Sequence, residues 1–255
     1  MSAGEVALIT GGASGIGLAL GRLLTSDGTR VVIADRDREA GERAAGELGG
    51  TFVAMDVRDP DAVREGVRVA EAEHGRLDAV ALNAGLTTGE AAIEELTLER
   101  YRAVLGVNVD GVVFGVRDSL PALRRAGGGC IVITASLSGL TPYPKDPIYA
   151  MTKHAVVGLT RSLAGPLSAD RVTINCVCPG FVETPLIVDY VERFRAAGYP
   201  LLSADEVAGA VIAAMRSGRS GEAWVCQPGR AAEPYRFRGV PGPRGTDAES
   251  PTLPG

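Results

Sequence analysis

Cysteine and histidine are scarce in this chain, and their scarcity excludes two kinds of architecture. Four cysteines are too few and too scattered for a disulfide framework, and the two histidines add no metal-ligand spacing to them. Cys176 and Cys178 stand two apart in an apolar run, on one side of a strand, with His74 and His154 elsewhere in the sequence. The expectation is buried free thiols and no metal. Also missing is any apolar stretch of membrane-spanning length. Met1 to Gly4 run into an apolar strand with no basic region and no cleavage motif, so the expected location is the cytoplasm. Nor is there an excess of positive charge: 26 Lys and Arg against 31 Asp and Glu, intermixed, give a formal net charge of -5. That balance offers no field for a phosphate backbone or an anionic lipid surface, and points to a small-molecule substrate with neither nucleic acid nor membrane as partner. No internal repeat is present.

What is present is a chain of 255 residues with 45% hydrophobic content, enough for one α/β domain. Apolar, β-branched runs at residues 6–10, 30–35, 51–55, 77–83, 130–135, 172–176 and 223–226 read as strands. Segments of helical period separate them, as in Ile16, Leu20, Leu23 and Leu24, or Val63, Val67 and Ala70. Strands apolar on both faces, alternating with amphipathic helices, define a parallel sheet covered on each side: a Rossmann-type, doubly wound, three-layer α/β/α fold. Ligands of such a fold bind beyond the carboxyl ends of the strands. The alternation ends at Gln227, which sets a catalytic domain at residues 1–227 and a Pro-, Gly- and Arg-rich tail at 228–255. Roughly the last fifteen residues have too few apolar groups to offset ordering entropy. Tyr235 and Phe237 alternate with arginines and can anchor the tail's start on a neighbouring subunit; a solvated tail is the plainer reading.

The first strand ends in Thr10, Gly11, Gly12, Ala13, Ser14, Gly15, Ile16 and Gly17, and this run opens a helix. Glycines here allow a tight turn and a close backbone approach, so that N–H groups and the helix terminus face a pyrophosphate. Asp35, ending the second strand, stands where a carboxylate accepts hydrogen bonds from the adenosine ribose and repels a 2′-phosphate, which favours NAD over NADP. Arg36 is placed either to accommodate such a phosphate or to face solvent. Asp56 and Val57 follow the third strand, where the acid can bond the adenine amino group or cap the next helix.

Further along stand Asn83, Ala84 and Gly85 after the fourth strand, then Asn108, Ser136 at the end of the fifth strand, and Tyr149 one helical turn before Lys153. Pro179, Gly180 and Thr184 complete the series. All of these in register resemble the short-chain dehydrogenase/reductase family, over nearly the whole chain up to about Gln227. The chemistry agrees with the resemblance. Tyr149 and Lys153 share a helix face, and a lysine ammonium together with a positive nicotinamide favours the phenolate, which makes Tyr149 a proton acceptor in alcohol oxidation. Lys153 also bonds the nicotinamide ribose, and Ser136 holds the substrate oxygen, with Ser138 its rival by position.

The resemblance further implies that Asn108 is a fourth catalytic member, holding a water that links the lysine to solvent. Without it, Asn108 is a mid-helix asparagine bonding its own backbone. It implies that Asn83, Ala84 and Gly85 brace the sheet beside the cofactor, with Leu82 where a second asparagine is often found. Pro179, Gly180, Val182 and Thr184 correspond to the segment contacting the nicotinamide carboxamide; a capping threonine explains Thr184 equally well.

Residues 184 to about 202 are rich in large apolar groups, among them Leu186, Ile187, Tyr190, Phe194 and Tyr199. In the family this region is a lid over the substrate, so an apolar lid implies a lipophilic alcohol or ketone; helix packing on the core is the competing explanation. Tyr143, with Leu137 and Leu140, can line the opposite wall. Lys145, Arg193 and Arg195 can meet a substrate carboxylate, with solvated charge the plainer reading of each. The runs around Ser136, Tyr149 and Lys153 look similar to NAD-linked 15-hydroxyprostaglandin dehydrogenases, which suggests a hydroxy-lipid, terpenoid or steroid-like substrate, although Lys145 and Asp146 replace a glutamine pair lining the substrate site there. The expected activity is an NAD-dependent dehydrogenase of secondary alcohols. An NADPH-dependent ketoreductase and a non-catalytic dinucleotide sensor are the alternatives, and the family implies a homo-oligomer, dimer or tetramer.

Overall fold

The computed structural model describes residues 4–89 and 92–239. Strands β1 (Val6–Thr10), β2 (Arg30–Asp35), β3 (Thr51–Ala54), β4 (Ala79–Leu82), β5 (Gly129–Thr134), β6 (Val172–Pro179), β7 (Ala223–Cys226) and β8 (Glu233–Pro234) form one sheet in the order β3-β2-β1-β4-β5-β6-β7-β8. All neighbours are parallel except β7 and β8. The helices are α1 (Gly15–Ser26), α2 (Arg38–Leu48), α3 (Pro60–His74), α4 (Leu98–Leu105), α5 (Gly111–Ala126), α6 (Pro147–Leu167), α7 (Val188–Ala196) and α8 (Ala204–Arg216).

The sheet is apolar on both faces because each face is covered. Leu8, Val32, Val80, Ile131, Ile133 and Ile174 meet α3, α5 and α6 on one side. Ile9, Ile33, Val132 and Val177 meet α1, α2 and α8 on the other. Each such aliphatic side chain taken out of water contributes about 2 kcal/mol. No helix of the described residues is long and apolar enough to cross a membrane. All four cysteines are buried and free.

Two expectations change. The strand pattern does not stop at Gln227: β8 pairs antiparallel with β7 through Trp224 and Pro234, and the Tyr235 N–H donates to the Ala223 carbonyl at 2.7 Å. Tyr235 and Phe237 meet edge to face at 5.0 Å, and the Arg161 guanidinium of α6 lies 3.8 Å from the Phe237 ring centre. The aromatic pair is thus anchored on its own subunit, where a ring face next to a cation replaces water. The loose tail expected over the last fifteen or so residues lies outside the described residues.

The order reversal between β1 and β4 creates a crevice at the carboxyl edge, with the turns after these two strands as its walls.

Candidate active site

A cleft of about 690 Å³ follows that carboxyl edge. Gly11, Ser14, Gly15 and Ile16 form one wall. Gly11 takes a φ of +61°, in the left-handed region open to glycine, and Gly17 lies behind it: a Cβ on Gly17 would stand 2.2 Å from the Gly11 carbonyl oxygen. Gly17 therefore permits the turn without lining the cleft. Ser14 precedes α1 in an extended conformation, and its hydroxyl makes no capping bond, so the first-turn N–H groups remain available to an anion. These features fit a dinucleotide pyrophosphate.

The wall across from the turn is tied to it by Thr10, which the sequence placed at the head of the turn without a role of its own. Its hydroxyl accepts from the N–H of Asn83 at 3.0 Å and of Ala84 at 3.2 Å. Asn83 in turn donates to the Gly11 carbonyl at 3.2 Å and accepts from the Thr134 hydroxyl at 3.0 Å, joining the ends of β1, β4 and β5. Thr10→Val keeps the shape and leaves both N–H groups unpaired, so we expect a loss of about 2 kcal/mol in urea denaturation. An unchanged midpoint would contradict this account of the brace.

At the adenosine end, the half-buried Asp35 accepts from the N–H of Ala13 and of Asp37, both at 3.1 Å, which turns its carboxylate into the cleft mouth between the glycine turn and the start of α2. Arg36 is exposed and lines the cleft with Met55, Asp56 and Val57. Asp56 does not cap α3; Asp59 does, accepting from the Asp61 N–H. The Asp56 carboxylate is instead clasped by Arg58, with the shortest contact 2.5 Å, and hydrogen bonds from Arg58 hold its pKa below the usual carboxylate range, with a smaller contribution from Arg36. A bond from Asp56 to an adenine amino group therefore has to share that carboxylate.

The other end carries the candidate chemistry. Helix α6 starts at Pro147, with Asp146 as its cap, and brings Tyr149 and Lys153 one turn apart into the cleft. The Ser136 hydroxyl faces the Tyr149 phenol, where it favours the ionised form, and accepts from the Ser138 N–H at 3.1 Å. Ser136 is thus the serine against the phenol, and Ser138 supports it through its backbone. The Lys153 ammonium lies 5.5 Å from the Tyr149 ring centre and donates to the Thr134 carbonyl at 2.8 Å.

Burial opposes the expected phenolate. It pushes the Tyr149 phenol up to about 12 and the Lys153 ammonium down to about 8. Each neutral form is favoured because charge is poorly solvated there. The chain alone holds Tyr149 as a neutral phenol at physiological pH.

Asn108 does not bond its own backbone. It sits, 1% exposed, in a π-helical turn at Gly106–Asp110, between α4 and α5. Its side chain accepts from the Leu86 N–H at 2.8 Å and donates to the Leu86 carbonyl at 2.8 Å and to the Thr152 hydroxyl at 3.0 Å. It lies behind Gly85: a Cβ on that glycine would stand 3.6 Å from both Asn108 Oδ1 and Lys153 Nζ. Asn108 thus fixes the wall after β4 against α6 without lining the cleft.

Pro179 ends β6, Gly180 follows it, and Val182 bridges to Leu202. Thr184 caps nothing; its hydroxyl donates to the Val182 carbonyl at 3.3 Å, and its methyl group approaches Gly15, where a Cβ would be 3.2 Å away. Leu186 and Tyr143 face the cleft, as does Phe181, which the sequence did not mark. Phe181 gathers Tyr143, Phe194 and Tyr199 at ring-centre distances of 6.3, 4.4 and 5.8 Å. Part of the apolar content of residues 184–202 therefore packs inward. Leu186, at 41% exposure, and Val188, at 62%, stay open to solvent. Arg195 pairs with Glu192 and Glu183, which accounts for its charge without a substrate carboxylate. Among the described residues, no group of three or more His, Cys, Asp or Glu is arranged to hold a metal.

A doubly wound sheet with a glycine turn, a strand-end acid and a Ser-Tyr-Lys cluster defines a dinucleotide-dependent oxidoreductase. The short chain dehydrogenase model matches residues 5–193, and the chain belongs to that family, as a short-chain alcohol dehydrogenase. It is 36% identical over 202 residues to cyclohexanol dehydrogenase of Acinetobacter sp. (strain SE19), covering 77% of this chain and 80% of the relative. It is 36% identical over 217 residues to the mitochondrial borneol dehydrogenase of Lavandula x intermedia, covering 82% of each. A crystal structure of 3-ketoacyl-(acyl-carrier-protein) reductase from Brucella melitensis complexed with NADH superposes with a TM-score of 0.84 at 31% identity, over 90% of this chain and 99% of that one. These relatives support the family and not the hydroxyprostaglandin branch.

Proposed function

We propose that the protein oxidises an apolar, ring-borne secondary alcohol to its ketone with NAD, and runs the reverse reaction under reducing conditions. The observation that carries this reading is the meeting of Tyr149, Ser136 and Lys153 beside the glycine turn. Bound along the cleft, oxidised nicotinamide dinucleotide supplies a hydride acceptor and a positive charge beside the phenol. Gly11, Ser14, Gly15 and Ile16 would hold its pyrophosphate, Asp35 its adenosine ribose, and Val182 and Thr184 its carboxamide. Ser136 orients the substrate oxygen, and Tyr149, whose phenol would first release its own proton to solvent when the Lys153 ammonium and the positive nicotinamide stand beside it, takes the hydroxyl proton as the phenolate. Lys153, with a pKa of about 8, is still mostly protonated at neutral pH and favours that transfer electrostatically. Asn108 holds the wall behind Lys153, where a water can connect the lysine to solvent.

The substrate end of the cleft is walled by Leu86, Leu137, Tyr143, Phe181, Leu186 and Tyr199. Such a surface favours an apolar body with one hydroxyl, in keeping with the cyclic alcohols named for the relatives. Residues 184–202 act as its lid. Turnover of NAD should be detectable with cyclohexanol and borneol and much weaker with a charged hydroxy acid. No turnover across such a panel would overturn the reading.

Asp35 and Asp56 border the adenosine end and oppose a 2′-phosphate. Asp35→Ala should lower the NAD-to-NADP ratio of kcat/KM by roughly a hundredfold; an unmoved ratio would show that Asp35 does not set the preference. Val113 on α5, 40% exposed, and Met151 on α6, 44% exposed, support a homo-oligomer through these helices, which a sizing column tests.

A further inference from the structure

Between the wall after β4 and the start of α6 lies a carboxylate that the proposed chemistry leaves unused. Asp146 is 3% exposed. Its Oδ1 accepts from the Tyr149 N–H at 2.9 Å and from the Thr88 hydroxyl at 2.5 Å, and its Oδ2 accepts from the Thr88 N–H at 2.8 Å. Thr88 is equally buried at 3%. Capping alone does not call for this arrangement. Asp37 and Asp59 cap α2 and α3 while remaining exposed, and their capping bonds stay within their own helices. Asp146 instead spans 58 residues of sequence to a second element. The two elements it joins are the two sides of the substrate end: Leu86 and Thr87 line one, Tyr149 the other.

We propose that Asp146 is a positioning residue for the reaction, whose buried carboxylate locks the wall at Thr88 to the first turn of α6 and so fixes where the Tyr149 phenol meets the substrate oxygen. The inference rests on Tyr149 being the proton acceptor. A displacement of well under an ångström at such a joint lowers turnover more than binding, because the reacting atoms lose alignment. The carboxylate has a second effect, through charge. The groups facing the phenol are the Ser136 hydroxyl, the Lys153 ammonium, the Tyr143 hydroxyl, the Cys178 thiol and Asp146; beyond burial itself, Asp146 opposes ionisation most by its negative charge, and Tyr143 and Cys178 oppose it less.

The test compares the native protein with Asp146→Asn, Thr88→Val, Thr88→Ser and Tyr149→Phe, using NAD and cyclohexanol. Asp78→Asn serves as a control: this buried acid accepts from the Val6 N–H at 2.9 Å at the opposite, amino edge of the sheet. Asp146→Asn and Thr88→Val should each lower kcat by roughly tenfold or more, with the KM for NAD within about twofold, while Thr88→Ser stays near native. In Asp146→Asn alone, the alkaline-rising limb of kcat/KM should move by about half a pH unit or more toward acid. Native kcat in both Asp146→Asn and Thr88→Val overturns the proposal. So does an unshifted limb, or a kcat loss matched by Asp78→Asn at equal loss of thermal stability. Full activity in Tyr149→Phe sinks the underlying chemistry as well, whereas an inactive Tyr149→Phe beside a native-like Asp146→Asn removes the positioning role alone.

Discussion

Tyr149→Phe should lower kcat for alcohol oxidation by roughly a thousandfold, the usual share of a positioned acid-base group, while NAD binding measured by fluorescence changes by less than about threefold. The substitution removes one oxygen. Ser136 then no longer faces a hydroxyl, but the glycine turn, Asp35 and the Thr10 and Asn83 brace remain as they were. Retained turnover would place proton transfer elsewhere; lost NAD binding would mean the phenol serves chiefly to hold the dinucleotide.

The second large effect is at Lys153. Lys153→Met keeps the length and apolar stem of the side chain, removes its charge, and should lower kcat by roughly a hundredfold or more, since the phenol is already pushed up to about 12 and loses its nearest cation. Stability should move the other way. Lys153 drops from 10.5 to about 8 on folding, so below pH 8 both folded and unfolded chains carry the proton and the folded state bears the full cost of burying it, about 3 kcal/mol. Between pH 8 and 10.5 the unfolded chain holds that proton and the folded chain does not, so this group's contribution to stability rises with pH. The Met variant should therefore be the more stable at pH 7, with its advantage shrinking toward pH 10. Parallel curves for the two proteins from pH 7 to 10, in thermal or urea denaturation, would contradict the burial of this charge.

Much of the scaffold was legible because it rests on local signals. Strands at residues 6–10, 30–35 and 223–226 have the expected bounds, since each is a short β-branched run ended by a glycine, acid or polar turn. Others shifted by a few residues, as at Ala79–Leu82 within the expected 77–83 and at Val172–Pro179, which outlasts its expected end at Cys176. The glycine turn was readable from its flanking strand and helix. The two-residue strand Glu233–Pro234 was not, because it has no alternation to detect and exists only through β7.

What escaped the sequence depends on distant partners. Asn108 reads as a poor helix residue until the π-helical turn aims it at Leu86, 22 positions away. Asp146 before Pro147 carries a recognisable capping signal, yet its bonds to Thr88 follow from tertiary packing. The depth of the pair was hidden for a related reason: the sequence shows that a lysine shares the tyrosine's helix face, but not that both are buried deeply enough for desolvation to favour their neutral forms in the chain alone.

The most direct test of the proton-transfer mechanism is the pH profile of kcat/KM for cyclohexanol oxidation, taken from about pH 6 to about pH 10 for the native protein and for Tyr149→Phe. The account predicts a native rate that climbs with a single ionisation and a variant whose residual rate is flat. A native profile without that climb, or a variant that keeps it, would contradict the assignment of the proton to the phenol of Tyr149.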